Sequence, residues 1–464
     1  MVSDIIKDLA VEKIRIDFGD LSATVFQILI IQRGCSIVEI NKILPNVEYR
    51  MVRFVFFKLF NHNVLFLRKN NHGQKLNVLN LKNIKIYASL YSPIIRMRFP
   101  RFLSLIEKEY GNIAREISKK FLEYGQVDSS IILRRLAKTN QWSHNQMEDS
   151  IINMARDQII EKLISPGRYF YKKNYWINSD IINFNNNYKP IESDSSKYVW
   201  KISYFKLNSI IKLELAVNVA EEFFCDKFKI IIKSCFSKNA GNNLSIAPLD
   251  WFSLDSLKDY TEEISCCGFF DELFIIQLVE NSCMNQFILK VNKCSYKFKT
   301  DNILDNLRKR VIENFINNQF GQKFFRVFKT LSSQKAIDEN KVSEECIVDK
   351  KFIRKFLYQM YRMSFIFLDE RNKYTNLISY KNIASWKLNL NMLLDRCLFD
   401  VYKSIYNLLL RIEEFNLLIK KNTKEKNRNY HFKEFKYNQI DQLNILRLSI
   451  FRLDEILIIL EKEK

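Results

Sequence analysis

The sequence predicts a mainly α-helical protein with small β wings: four tandem winged-helix units followed by a C-terminal antiparallel coiled-coil hairpin. Three observations predict it. Glycine and proline are scarce, nine and six in 464 residues, against the roughly 12% that the two make up in an average chain. That argues against sandwiches, barrels and Gly-rich nucleotide loops. An aromatic-Gly pair recurs along the chain, each time followed by apolar residues at the same spacing. Near the end, apolar residues fall in alternating steps of three and four.

The first unit, residues 1–92, shows the order of elements. Phe18-Gly19-Asp20-Leu21 opens a helix with Val25, Phe26 and Leu29 on one face. Gly34 breaks it. A short segment from Ile37 to Leu44 ends at Pro45, and a longer helix spans Val47 to Asn61. The β-rich run Val64 to Arg68 then predicts a strand, with Asn71-His72-Gly73 as a turn and Leu76 to Leu79 as its partner. Helix, helix, turn, helix and strand pair is the order of a winged helix.

Phe18-Gly19 recurs as Tyr110-Gly111, Phe320-Gly321 and, more weakly, Phe224-Cys225. Six positions after the Gly (or Cys) stand Val25, Ile117, Ile231 and Val327; ten positions after it stand Leu29, Phe121, Cys235 and Leu331. Six and ten are one helical turn apart, so each pair shares a face. The second unit, 93–180, continues with Gly125, a short helix from Ser129 to Leu136 and a third helix from Asn145 to Ile160. Its wing is expected over Leu163 to Trp176, turning at Pro166-Gly167. Residues 181–197, rich in Asn, Asp and Ser, read as a linker. The third unit, 198–305, carries a helix over Ile210 to Glu222, a short helix at Ser253 to Leu257 and a third helix at Phe269 to Leu278. Its wing is Phe287 to Val291 with Ser295 to Phe298. In the fourth, 306–385, Ile337 precedes a short helix, Asn340 to Cys346, and a third helix, Asp349 to Arg362. Its wing is Phe365 to Leu368 with Asn376 to Ser379.

Residues 386–464 carry the two seams. The first is Leu394, Leu398, Val401, Ile405, Leu408, Ile412, Phe415 and Ile419; the second is Leu443, Leu446, Ile450, Leu453, Leu457 and Leu460. Facing heptad seams joined by the basic stretch Lys420 to Lys433 predict an antiparallel hairpin. Leu398, Val401, Ile405 and Leu408 would meet Leu446, Ile450, Leu453 and Leu457. Two helices that pack on different domains are the alternative.

The composition narrows function further. Lys and Arg number 73 against 52 Asp and Glu, a net charge of +21 spread along the chain, which suits nucleic acid or another polyanion. No apolar run nears the roughly 20 residues of a membrane helix, so no membrane partner is expected. The start, Met1-Val-Ser-Asp, lacks a signal peptide's basic-then-apolar order, and the reading is intracellular. Nine cysteines include no C-x-x-C pair, and the four histidines are scattered. Reduced thiols are expected rather than a metal site or disulfide frame. No phosphate loop, nucleophile elbow or H-E-x-x-H motif occurs. The reading is a non-catalytic protein without cofactor, metal or catalytic residue.

A winged helix usually lays its third helix in a major groove and its wing near the backbone. In the first unit the candidate DNA-binding residues are Arg50, Arg53 and Lys58 on that helix and Arg68, Lys69 and Lys75 on the wing. The second offers Arg134, Arg135 and Lys138, and the fourth Lys350, Lys351, Arg354 and Lys355. Such charges would meet phosphates, which position without reading sequence. Tandem winged helices also serve as protein docking surfaces, and that reading stays open.

Asp17-Phe-Gly-Asp-Leu21 through Arg33-Gly34, Phe99-Pro-Arg-Phe-Leu-Ser-Leu-Ile-Glu107 leading into Tyr110-Gly111, and Tyr380 to Trp386 before a long helix resemble the winged-helix subunit of RNA polymerase III. That subunit, C three, is the largest member of the enzyme's specific heterotrimer. The resemblance runs in order through most of the chain. It departs from the repeat at Cys225, and Gly125 falls one residue earlier than Gly34 does. It implies a non-catalytic nuclear subunit, related in architecture to TFIIE-type factors. Such a subunit sits on the clamp of the polymerase core with two heterotrimer partners and helps promoter opening in initiation. Initiation factors and double-stranded or melted promoter DNA would be its further partners. A winged-helix scaffold of another nuclear assembly and a DNA-binding regulator are the alternatives.

Overall fold

Apolar residues at helical spacing from Ala10 to Leu29 draw the start of the chain into two helices that share one core. The computed structural model describes residues 2–67, 85–139, 142–164, 198–223, 251–253, 288–290, 295–298, 300–334, 336–372, 382–424 and 430–461. They fall into two bodies. The larger is Ile6–Thr300 with Leu408–Asp454; the smaller is Met1–Ile5, Asp301–Asn407 and Glu455–Lys464.

In the first module, helix α1 (Val2–Phe18) and helix α2 (Asp20–Ile31) bury Ala10, Ile14, Val25, Phe26 and Leu29 together. Helix α3 (Ile37–Ile43) starts on a capping box: the Ser36 hydroxyl accepts from the Glu39 N–H, and the Glu39 carboxylate accepts from the Ser36 N–H, which satisfies two otherwise orphaned donors. Helix α4 (Tyr49–Asn61) buries Val52, Val55, Phe56 and Leu59. Strand β1 (Leu65–Leu67) pairs antiparallel with β2 (Ile86–Ala88), Leu65 opposite Ala88. Cys35 bridges Ile86 on the other edge of β2. The expected partner strand, Leu76 to Leu79, lies outside the described residues, and so does its turn. The strand that pairs with β1 comes later in the chain.

The second module follows helix α5 (Tyr91–Ile95) and a single 3-10 turn, Arg96–Arg98. Helix α6 (Phe99–Tyr124) bends at Gly111. Helix α7 (Ser129–Thr139) and helix α8 (His144–Arg156) come next, and Ser143 with Gln146 forms a second capping box at the start of α8. Strand β3 (Ile160–Ile164) pairs antiparallel with β4 (Tyr198–Ile202), and Val127 bridges Trp200. Two expectations are corrected. The third helix stops at Arg156 rather than Ile160, because Gln158 turns the chain into the strand. Residues 181–197 lie between two paired strands of one sheet, so they do not part the second unit from the third; β4, expected in the third unit, completes the second. Pro166-Gly167 lies outside the described residues.

Of the third unit the structure describes helix α9 (Tyr204–Phe223) and strands β5 (Trp251–Ser253), β6 (Ile288–Lys290) and β7 (Ser295–Phe298), in sheet order β5-β7-β6. Strands β6 and β7 fall within the expected wing. Ser253, expected to open the short helix, is the last residue of β5. Phe224-Cys225, Ile231, Cys235, Leu257 and the Phe269 to Leu278 segment lie outside the described residues.

The fourth module is helix α10 (Thr300–Phe320), α11 (Gln322–Ser333), strand β8 (Ile337–Asp338), α12 (Glu339–Cys346), α13 (Lys350–Arg362), β9 (Ile366–Asn372) and β10 (Asn382–Leu388). Its sheet order is β8-β10-β9. The second wing strand is thus β10; the expected segment Asn376 to Ser379 lies outside the described residues.

One set of interactions recurs in the first, second and fourth modules. Gly19, Gly111 and Gly321 have φ of 92°, 83° and 84° with ψ near 180°, a region essentially closed to residues with a Cβ. Each ends one helix and starts the next. Beyond them Val25, Ile117 and Val327 are fully buried, as are Leu29, Phe121 and Leu331. After each third helix, Asn63, Gln158 and Ser364 take φ near 60°. The next N–H then reaches back: Val64 to the Leu59 carbonyl, Ile159 to Met154 and Phe365 to Met360, the Schellman closure of a helix end. Finally Ser89, Ser203 and Asn389 donate to the carbonyls of Val64, Ile159 and Phe365.

Two long helices remain, α14 (Leu390–Lys424) and α15 (Tyr430–Leu460). In the smaller body Leu393 and Cys397 from the start of α14 share a core with Leu460 from the end of α15 and with the fourth module. The two helices run in opposite senses there. Burial is wider than a two-helix seam provides. Leu457, Ile458, Ile459 and Leu460 are all buried, which marks a helix end packed on every side. Of the expected interface, Ile405, Ile450 and Leu457 are buried, while Leu398, Val401, Leu408, Leu446 and Leu453 are half-buried. Leu393, Cys397, Tyr402 and Leu409 are buried although outside the expected seam. Arg308 caps α15, donating from Nε to the Ile459 carbonyl at 2.7 Å and from Nη2 to the Glu461 carbonyl at 3.3 Å.

A Cβ at Gly111 would meet nothing within 4 Å, so a substitution there tests backbone strain alone. Gly111→Ala is expected to lower stability by about 1–3 kcal/mol, measured by chemical denaturation of the full chain; an unchanged midpoint would show that the corner tolerates a side chain.

Candidate nucleic-acid interface

Helix α13 has no Asp or Glu in its sequence. Its inner face, Ile353, Leu357 and Met360, is buried in the fourth module. On the opposite side Lys351, Lys355, Tyr358 and Arg362 form one row at steps of four, three and four. All four are exposed, Tyr358 to 67%. Among the described residues the three cations of this row, and the exposed Lys350 beside it, have no partner. The flanks are held. Arg354 pairs with Glu339 of α12, the Tyr361 ring meets Trp386 edge-on at 6.1 Å, and Lys323 lies over the Phe352 ring at 5.7 Å. The result is a cationic ridge on a rigid helix, with donors suited to phosphate oxygens.

The corresponding row on α4 is Arg50, Phe54, Phe57 and Asn61. Phe54 is 60% exposed, and Tyr49, Met51 and Phe57 are exposed beside it. Arg50 and Arg53 are exposed and have no partner among the described residues. Lys58 is half-buried over the Phe18 ring at 5.1 Å, on the side of the helix that faces the protein. Arg68, Lys69 and Lys75 lie outside the described residues. In the second module the row on α8 is Asn145, Asp149, Ile152 and Arg156, which carries no cationic surplus. Its candidates sit on α7. Arg134 is exposed, Arg135 lies over the Tyr124 ring at 4.7 Å, and the Lys138 side chain is outside the described residues. Among the described residues the candidates occupy separate helices, α4, α7 and α13.

The sequence reading missed the joint that holds the larger body together. Arg98 and Asp454, each 3% exposed, pair at 2.9 Å, and Arg98 also donates to Asn208 Oδ1 at 3.2 Å. Two residues earlier, Arg96 donates to Asp17 at 2.7 Å and lies over the rings of Phe18 and Phe99. It also donates to His62 Nδ1 at 3.4 Å. A guanidinium can only donate, so this ring nitrogen accepts and the imidazole is neutral. Burial, then the charges of Arg96 and Lys58, push the His62 pKa down to about 4. Burial alone would raise the Asp17 carboxyl, but Lys13 and Arg96 together hold it below its usual value. The only signal in the sequence was two arginines immediately before Phe99-Pro100.

Burial pushes the Cys35 thiol up to about 11 and the Cys397 thiol up to about 12, which keeps them protonated at neutral pH. Among the described residues no cluster of His, Cys, Asp or Glu could hold a metal ion, and no helix is long and apolar enough to cross a membrane.

Residues 312–386 match the family model of the POLR3C C-terminal winged-helix domain. This stretch of the chain is similar to the C-terminal winged-helix domain of POLR3C. The match runs from within α10 into strand β10, so it takes in α13 and its cationic row. The chain is also 20% identical over 230 residues to the DNA-directed RNA polymerase III subunit rpc3 of Dictyostelium discoideum, covering 46% of this chain and 34% of that protein. The match thus spans about a third of the relative's length. The resemblance of the sequence to the polymerase III winged-helix subunit is supported by both.

Removing one partner of the buried pair strands the other charge. Asp454→Ala is expected to destabilise the larger body by roughly 3–5 kcal/mol, and Arg98→Met with Asp454→Leu to recover most of the loss, both read by chemical denaturation. Equal loss in single and double variants would show that Arg98 works only by its bulk. His62 sets a pH dependence. Its ring binds a proton more weakly folded than unfolded, so its contribution is whole above pH about 6.5 and falls away toward pH 4, by roughly 3 kcal/mol in full. His62→Gln is expected to flatten the stability curve across that window; a curve that falls as steeply as before would assign the acid loss to other groups.

Proposed function

We propose that this chain is a non-catalytic, nuclear subunit of RNA polymerase III that acts on DNA and on protein partners through tandem winged helices. The observation that carries the proposal is the POLR3C-type domain over residues 312–386, whose third helix presents a cationic row without partners among the described residues. The similarity to a protein named as a polymerase III subunit supports the same reading across a longer stretch.

The finer features follow from the sequence resemblance and have separate support. Four winged-helix units are favoured by the recurrence of one strand order. A first strand or bridging residue, then the last strand, then the middle one, is the order around Cys35, around Val127, in β5-β7-β6 and in β8-β10-β9. A C-terminal hairpin is favoured by the opposed senses of α14 and α15 in the smaller body. In this reading the subunit sits on the polymerase clamp with its two heterotrimer partners and initiation factors, and helps open promoter DNA. Lys350, Lys351, Arg354, Lys355 and Arg362 of α13, with Arg134 of the second module, are the favoured surfaces toward phosphates.

Two experiments test the proposal. Tagged protein purified from its own cells is expected to bring down the polymerase III core and two smaller partners, identified by mass spectrometry; recovery of an unrelated assembly without polymerase would overturn it. Lys351→Glu with Lys355→Glu and Arg362→Glu is expected to weaken binding of the intact complex to DNA. Loss of three phosphate contacts would flatten the slope of log affinity against log salt by roughly 2–3. An unchanged slope would remove α13 from the DNA surface.

A further inference from the structure

We infer that the outer face of α4 docks an acidic, amphipathic segment of a partner protein, and that the arginines on it serve that partner rather than DNA. The backbone does not require this face to be apolar. At the equivalent register of α13, fixed by the pairs Val52 and Ile353, Phe56 and Leu357, and Leu59 and Met360, all buried, the positions of Phe54, Phe57 and Asn61 hold Lys355, Tyr358 and Arg362. In α4 the same frame exposes Tyr49, Met51, Phe54 and Phe57. Large apolar side chains grouped on one exposed helix face mark an interaction surface. A duplex presents that face with charged phosphates and offers little apolar surface in return. A protein segment with an aromatic or aliphatic anchor offers it directly, in the helix spacing of Phe54 and Phe57.

Charge names the rest of the partner's chemistry. Helix α4 contains no carboxylate, and Arg50 and Arg53 flank Phe54 without a partner among the described residues. Guanidinium groups beside an apolar anchor select carboxylates beside the complementary anchor, with bidentate geometry. The occupant is therefore a protein segment in which Asp or Glu lies within about one helical turn of an apolar side chain. The inference does not depend on the polymerase assignment, since it follows from this helix face alone.

Site-directed photocross-linking tests it in the full chain in its own cells. Phe54→p-benzoylphenylalanine replaces an exposed residue, so the fold is not at risk, and circular dichroism checks this. Tyr358→p-benzoylphenylalanine on α13 serves as the comparison. The expected result is an adduct from position 54 to a peptide of another protein that carries at least two carboxylates near the linked residue. Its yield should fall roughly fivefold or more when Arg50→Glu and Arg53→Glu are added. An adduct to DNA, to a second copy of this chain or to a peptide without acidic residues would overturn the inference. So would the absence of any adduct from position 54, or a yield indifferent to the arginine changes. Whether the linked protein belongs to a polymerase bears only on the proposed function.

Discussion

The larger body turns on one buried ion pair. Arg98 ends the 3-10 turn between the first two modules, and Asp454 lies near the end of α15, 356 residues on. Both are withdrawn from water, so each must be matched or its burial would be prohibitive. A slip of α15 by a single turn would move Asp454 by about 5.4 Å, out of reach of the guanidinium. The pair thus holds α15 to one register in the larger body. Arg96 adds the second half of the constraint. It ties Asp17 at the end of α1 to the same short turn and stacks on Phe18 and Phe99. The end of α4 then closes on the second module: Gln126 donates from its backbone to the Asn61 carbonyl and from its side chain to Asn63 Oδ1. A Cβ at Gly125 would stand 2.2 Å from the Asn61 oxygen, so only glycine allows this approach.

Within that frame, three modules repeat their interior and vary their exterior. The buried residues of the third helices keep their spacing and apolar character, and the glycine corners and the left-handed residues that end each helix recur with them. The outer rows share nothing comparable. One is aromatic with arginines, one is mixed, and one is cationic. A single backbone thus presents different chemistries at the same place, and function has to be read from the rows rather than from the fold.

What could be read in the sequence follows from the range of the forces involved. The aromatic-Gly repeat and the apolar residues six and ten positions beyond it are local, so Val25, Ile117, Val327 and their neighbours were legible as core. Third helices were found to within a few residues for the same reason. Wing partners were not. A hairpin reading takes the nearest strand-like run after a turn, whereas β2, β4 and β10 each stand beyond a long connection. Their positions are dictated by the residue that follows each strand, Ser89, Ser203 and Asn389, which returns to the carbonyl just after the third helix. No short-range pattern announces such a bond. The candidate arginines and lysines were legible as charges, but not as paired or unpaired: Lys58 and Arg354 are engaged, while Arg50 and Lys351 have no partner among the described residues.

The terminal helices show why periodicity alone understates burial. A heptad seam accounts for two positions in seven, yet the last turn of α15 buries four in succession. The fourth module takes part in this burial: Leu460 shares a core with Leu357, Met360 and Leu393, and Arg308 of α10 donates to the Ile459 and Glu461 carbonyls. The C-terminal residues are therefore part of the interior of the module that carries the cationic row. The Tyr402 hydroxyl, which donates to Glu461 Oε1 at 2.9 Å, adds a polar tie between the two long helices at that same end. A helix that begins its return far along the chain thus finishes as a structural element of a winged helix. The stiffness of α13 as a binding ridge depends on it, because Leu357 and Met360, directly behind the row, are packed in the core that α15 completes.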